Sequence, residues 1–166
     1  MKSKKRCFVS VEPPAHIKKE ILKIQKVLPK FIGKSIELEN LHLTLKFLSE
    51  IDEETILKVK KKLSEIKLNK IHCKINTLGV FSEKFVRIIW LKVQGVEELQ
   101  KLIDEKLNEI GFEKENRFMS HLTIARVKII NNKKDFLKKL NKIDIPELEF
   151  NIKSFELKES ILKPEG

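Results

Sequence analysis

Two short stretches, Leu41-His42-Leu43-Thr44-Leu45 and Ser120-His121-Leu122-Thr123-Ile124, repeat one pattern 79 residues apart. No other feature limits the fold of this chain as strongly. Shifting the sequence by the same 79 residues lays Cys7 on Val86 and the alternation of 41–48 on 120–127. It also lays the helical stretch 53–66 on the region from Asn132. The reading is two β-α-β-α-β halves, approximately 6–81 and 85–162, related by a pseudo-twofold axis. At 166 residues they fit within one domain spanning 1–166.

The apolar period changes along each half. Cys7 to Val11 reads as a short strand. Pro13-Pro14 opens a helical stretch with Ile17, Ile21, Ile24 and Leu28 on one face, and Pro29 ends it. Leu41 to Leu48 alternates as a half-buried strand should. Asp52 caps a second helix striped by Ile56, Val59, Leu63 and Ile66, and Ile71 to Val80 is strand-like. The second half follows with a strand at 86–93 and a helix at 96–110 stopped by Gly111. A strand at 121–127, a short helix at 133–140 and one or two strands within 148–162 complete it. Parallel or antiparallel pairing is not readable from this pattern.

In a strand, residues two apart share a face. His42 with Thr44, and His121 with Thr123, therefore each present a polar pair, while Leu41, Leu43, Leu45, Phe47, Leu122 and Ile124 point to a core. The pseudo-twofold would set the two pairs across one cleft. Imidazole titrates near neutral pH, so one histidine can accept a proton while the other donates one. The threonine hydroxyls can hold non-bridging phosphate oxygens. Arg126 could add a fixed cationic fork, although strict alternation turns it away from His121 unless the strand bulges or ends there. A lone His-x-Thr would read as a half-buried structural histidine. Its recurrence at matched places argues for an acid–base pair, and two histidines leave a zinc site short of a third protein ligand.

Lys and Arg exceed Asp and Glu to give a net charge of +11, which favours a polyanionic partner or marks a solvated lysine-rich surface. Cys7 and Cys73 are too few for a disulfide framework and read as buried thiols. Cys7 to Val11 is too short for the apolar core of a signal peptide, and no run approaches a membrane span. A soluble, cytoplasmic protein is expected. His16 and His72 read as solvated or structural, Phe47 and Trp90 as core.

Asn40 to Glu50 and His121 to Val127 resemble the two signature strands of the 2H phosphoesterases. Within them the chain is similar to the RNA 2′,3′-cyclic phosphodiesterases, also called 2′-5′ RNA ligases. The opening Arg6 to Val11 with Pro13, and Glu156 to Ser160, also match. The resemblance implies an α+β fold of two pseudo-symmetric lobes, each a mainly antiparallel sheet with outer helices, with the active-site cleft between them. It implies hydrolysis of a terminal RNA 2′,3′-cyclic phosphate to a 2′-phosphomonoester, with His121 as proton acceptor and His42 as proton donor. Thr44, Thr123 and Arg126 would bind the phosphate, and no metal or cofactor is implied. The partner would be RNA with a cyclic phosphate end, such as a tRNA half, met by a monomer away from membranes. Joining RNA ends through a 2′-5′ bond would follow by reversal. Relatives often run past the Pro164–Gly166 region and carry a Tyr there, whereas this chain has no Tyr. A non-catalytic basic RNA-binding module and a phosphodiesterase of small cyclic nucleotides are the competing readings.

Overall fold

The two stretches that carry the repeated pattern lead into neighbouring strands in the middle of a sheet that has eight strands among the described residues. The computed structural model describes residues 3–161. In chain order its elements are β1 (Lys4–Val11), α1 (Ala15–Lys26), β2 (Ile32–Ser35), β3 (Leu43–Asp52), α2 (Glu53–Ser64) and β4 (Ile71–Val80). They continue with β5 (Ile88–Gln94), α3 (Glu97–Asn108), β6 (His121–Ile129), α4 (Lys133–Asn141), β7 (Leu148–Ile152) and β8 (Glu156–Glu159). Residues 148–161 thus supply two short strands. Leu162 and the Pro164–Gly166 region lie outside the described residues.

The sheet order is β7-β4-β5-β6-β3-β1-β8, with β2 paired to β6, and every pairing is antiparallel. β1, β3 and β8 make one lobe; β2, β4, β5, β6 and β7 make the other. Among the described residues the lobes meet through one ladder pair, Leu43 with Leu122. The expected α+β architecture of two antiparallel lobes with helices outside them is what the chain adopts.

Each helix forms where the sequence offers a start signal and an apolar face. Asp52 accepts the Thr55 N–H at 2.8 Å to cap α2, and Asn132 accepts the Asp135 N–H at 3.1 Å to cap α4. The Pro14 carbonyl accepts the first amides of α1. Gly111, at φ +101°, takes the left-handed conformation that ends the α3 segment. The buried faces are Ile17, Ile21 and Ile24 on α1, Leu99, Ile103 and Leu107 on α3. Burying side chains of this size is worth about 1.5–3 kcal/mol each, enough to dock the helices firmly.

The helices cross over between the halves. α1, which follows β1, packs on β6, whereas α3, which follows β5, packs on β3 and α2. Each catalytic-strand candidate is thus backed by a helix from the other half of the sequence. Among the described residues, no helix is long and apolar enough to cross a membrane.

Candidate active site

Leu43 and Leu122 are 2% and 1% exposed and point into the core. Their neighbours along antiparallel strands must face the other way. His42, Thr44, His121 and Thr123 therefore share one face, and all four are half-buried. The register sets His42 across from Thr123 and Thr44 across from His121.

The two rings are held by the same local bond. His42 Nδ1–H donates to the Asn40 carbonyl at 2.8 Å, and His121 Nδ1–H to the Met119 carbonyl at 3.0 Å. A carbonyl can only accept, so Nδ1 carries the hydrogen and Nε2 is left for chemistry. It offers a lone pair when the ring is neutral and a proton when it is charged.

Alternation fails just beyond these pairs. The β1–β3 pairing passes from Val9↔Lys46 to Ser10↔Thr44, skipping Leu45. The β5–β6 pairing passes from Ile89↔Ala125 to Trp90↔Thr123, skipping Ile124. Each is a β-bulge, whose extra residue turns the following side chains to the other face. Leu45 and Lys46 are both buried, as are Ile124 and Ala125.

The next residues in line turn out of the core. Arg126 is exposed on the cleft side, and its charge is felt at His42. The bulge thus resolves the geometric problem that alternation posed for it. Phe47 was expected in the core by the same alternation. That expectation is wrong: Phe47 is 68% exposed, because the bulge at Leu45 reverses its direction.

Cross-strand pairs define the walls, since directly opposed residues share a face. Ser10 stands opposite Thr44, Trp90 opposite Thr123 and Lys92 opposite His121. On the outer side of β1, Lys158 stands opposite Phe8. The Phe8 ring lies 5.1 Å from His42 and 6.3 Å from Phe47, and Phe81 meets His121 edge-on at 4.8 Å. Trp90 is buried as the sequence suggested, yet on the cleft side of the sheet. Burial holds the His42 pKa below the ordinary imidazole value; Lys158 and Arg126 act in the same direction, while the Asn40 carbonyl and Glu12 oppose them.

The other candidates stay apart from this cleft chemistry. His16 and His72 are exposed, the latter beside Asn151 and Glu149 on β7. Cys7 and Cys73 are buried free thiols. Burial raises both, Cys73 to about 11, so neither supplies a thiolate near neutral pH. Among the described residues, no three of His, Cys, Asp and Glu gather as a metal-holding group.

The family model of the LigT-like phosphoesterases matches residues 11–90 and again 92–166. The chain belongs to the LigT-like phosphoesterases. An RNA 2′,3′-cyclic phosphodiesterase of Methanocaldococcus jannaschii is 39% identical over 97% of this chain and 94% of its own length. One of Archaeoglobus fulgidus is 35% identical over the same shares. Among solved structures, a Thermus thermophilus protein superposes with a TM-score of 0.79 at 25% identity, covering 97% of this chain and 91% of that one. Escherichia coli LigT in complex with 3′-AMP gives 0.75 at 22%, covering 96% and 90%.

For a LigT-like phosphoesterase, the residues that sequence reasoning missed are the walls: Phe8, Phe81, Lys92 and Lys158. The lysines carry no signal that separates them from a solvated surface. Phe81 does carry one, being a large aromatic at the edge of a polar turn, Ser82 to Lys84.

Proposed function

We propose that this protein opens RNA 2′,3′-cyclic phosphate ends to 2′-phosphomonoesters, with His121 as general base and His42 as general acid. The observation that carries the reading is the pair of imidazoles on adjoining strands, each with Nδ1 tied to a carbonyl and Nε2 free. His121 Nε2 takes a proton from water as the water oxygen bonds to phosphorus. The bond to the 3′ oxygen breaks, and that oxygen receives the proton of His42 Nε2. Thr44, Thr123 and Arg126 hold the non-bridging oxygens, where charge must be stabilised.

Burial, with Lys158 and Arg126 adding to it, disfavours the His42 imidazolium in the free protein. A bound phosphodiester anion supplies the missing counter-charge, so substrate itself loads the acid. Phe47, exposed beside Phe8, whose ring also meets His42, stacks on the base of the terminal nucleotide. The relatives named RNA 2′,3′-cyclic phosphodiesterase support this substrate class. In this reading residues 6–81 and 85–162 descend from one duplicated unit, which the double match of the family model supports. A monomer is sufficient, since one chain supplies both histidines, and tRNA halves in the cytoplasm are substrates of the right kind.

The test is turnover of an RNA oligonucleotide ending in a 2′,3′-cyclic phosphate, in EDTA, with the product phosphate located. A 2′-phosphate formed without added metal is expected. A 3′-phosphate would keep the acid–base pair but reverse which oxygen leaves. Preference for mononucleotide cyclic phosphates would replace RNA by small nucleotides as substrate. Binding without product would leave a basic RNA-binding module.

A further inference from the structure

We propose that Phe81 is the stacking platform for a second nucleoside, bound on the attacking side of the phosphate and separate from the nucleoside that carries the cyclic ester. The inference rests on the cyclic phosphodiesterase reading above. Phe81 follows the last residue of β4 and is 53% exposed, although its ring makes a T-shaped pair with His121, the centroids 4.8 Å apart and the planes at 87°. Its other neighbour is Trp90, 5.3 Å away and tilted at 43°. Trp90 is itself 7% exposed and fixed in the sheet opposite Thr123.

The turn beyond Phe81 is bonded in place. Ser82 Oγ accepts the Phe85 N–H at 3.2 Å, and Lys133 Nζ donates to the Lys84 carbonyl at 2.7 Å. Phe85 is 63% exposed on the same turn, with the Lys84 ammonium 5.8 Å from its ring. An apolar face of this kind, held rigid and left to water, is ready to receive a flat ring at small entropic cost. The buried Trp90 Nε1–H has no acceptor among the described residues.

The position of Phe81 decides which ring it receives. In an in-line displacement the attacking and leaving oxygens lie on opposite sides of phosphorus. The leaving 3′ oxygen belongs to the terminal nucleotide and faces His42, where Phe8 and Phe47 already provide an aromatic wall. The attacking oxygen faces His121 and Phe81. Water needs no stacking platform, but a 5′-hydroxyl carried by a nucleoside does. With that alcohol in place, His121 accepts the 5′-hydroxyl proton as O5′ bonds to phosphorus. The bond to O3′ breaks and His42 protonates it, leaving a 2′-5′ phosphodiester with no change in the phosphate charge.

The experiment incubates a cyclic-phosphate oligonucleotide with a second oligonucleotide bearing a 5′-hydroxyl, and reads the ratio of joined to hydrolysed product. For Phe81→Ala the ratio should fall about tenfold, in line with the loss of one base stack, and Phe81→Trp should restore it. Phe47→Ala should slow both products and leave the ratio near wild type. An unchanged ratio in Phe81→Ala, or hydrolysis by wild type with no joined product at any acceptor concentration, overturns the proposal and spares the phosphodiesterase reading. No product of either kind from wild type overturns both.

Discussion

His42 and His121 share a side chain, a place in the repeat and a hydrogen bond from Nδ1 to the carbonyl two residues back. His42 is held below the ordinary imidazole value by burial, with Lys158 and Arg126 adding to that effect. If its proton is the one delivered to the leaving oxygen, kcat/KM needs His42 charged in the free protein. The sign then follows: a lowered pKa means the proton is lost earlier on raising pH, so the alkaline limb of kcat/KM falls below that of an unperturbed histidine. The limb of kcat should lie higher, because the bound phosphate favours the charged ring. Arg126→Gln removes one of the two cations. Its alkaline limb in kcat/KM should move to higher pH, while its maximum drops through loss of a phosphate contact. A limb that stays in place would assign that ionisation to a group other than His42. Replacing either histidine by Ala should cost about 10²–10⁴-fold in kcat, and circular dichroism should show the fold intact. The double variant should be little worse than the slower single one, because acid and base act on one event.

The bulges at Leu45 and Ile124 turn two ordinary strands into a site, and both are supported from the outer layer. Gln25 of α1, itself buried, donates to the carbonyls of Ile124 and Ile36, both at 2.9 Å. Asp104 of α3, 79 residues further on, pairs with buried Lys46 at 2.6 Å and accepts from Gln100 and the Glu115 amide. Lys46 also donates to the Glu113 carbonyl at 2.6 Å, in the segment that leads to His121. Gln25→Leu removes both of these bonds, leaving the Ile124 carbonyl only the Ile36 N–H at 2.9 Å, and should cost about 1–3 kcal/mol, read as a lower Tm, with a rise in KM as Arg126 loosens. Lys46→Met strands a buried carboxylate and should cost about 3–5 kcal/mol. The Lys46→Met, Asp104→Leu double variant should be more stable than either single one, and a strictly additive loss would count against a buried pair. These bulges also mark where the sequence stops being readable. His42, Thr44, His121 and Thr123 lie before them, so a period of two placed all four side chains on one face. Phe47 and Arg126 lie just past them, where the same period points the wrong way, and an inserted residue leaves no trace in composition. β2 was invisible for another reason. Ile32, Gly33, Lys34 and Ser35 are all exposed and show no alternation. Gly33 is required because a β-carbon there would stand 2.2 Å from the Arg126 carbonyl, a contact that only the pairing to β6 creates. The helices, whose apolar stripes and caps are local, were legible to within two or three residues at either end.

The charge of the whole chain gains a direction once the cleft is placed. The excess of +11 is spread over many lysines, and most ion pairs lie at the surface, as with Lys58–Glu54 and Lys139–Asp135. Such pairs contribute little to stability, so the excess is not explained as a scaffold of salt bridges. Arg126, Lys92 and Lys158 differ in standing on the strands that form the cleft, next to or across from the two histidines and their aromatic wall. An RNA chain lying across these strands would meet them in succession. Binding phosphates releases condensed counterions, and for a single strand each neutralised phosphate lowers log kcat/KM against log salt by about 0.7 in slope. An oligonucleotide that uses two phosphates beyond the reacting one should thus show a slope steeper by about 1.4 than a mononucleotide cyclic phosphate. Lys92→Gln and Lys158→Gln should each flatten the oligonucleotide slope while leaving the mononucleotide slope near wild type. Equal slopes for the two substrates would mean that the cleft reads only the terminal nucleotide, and that the charge excess is a solvated surface with no part in substrate capture.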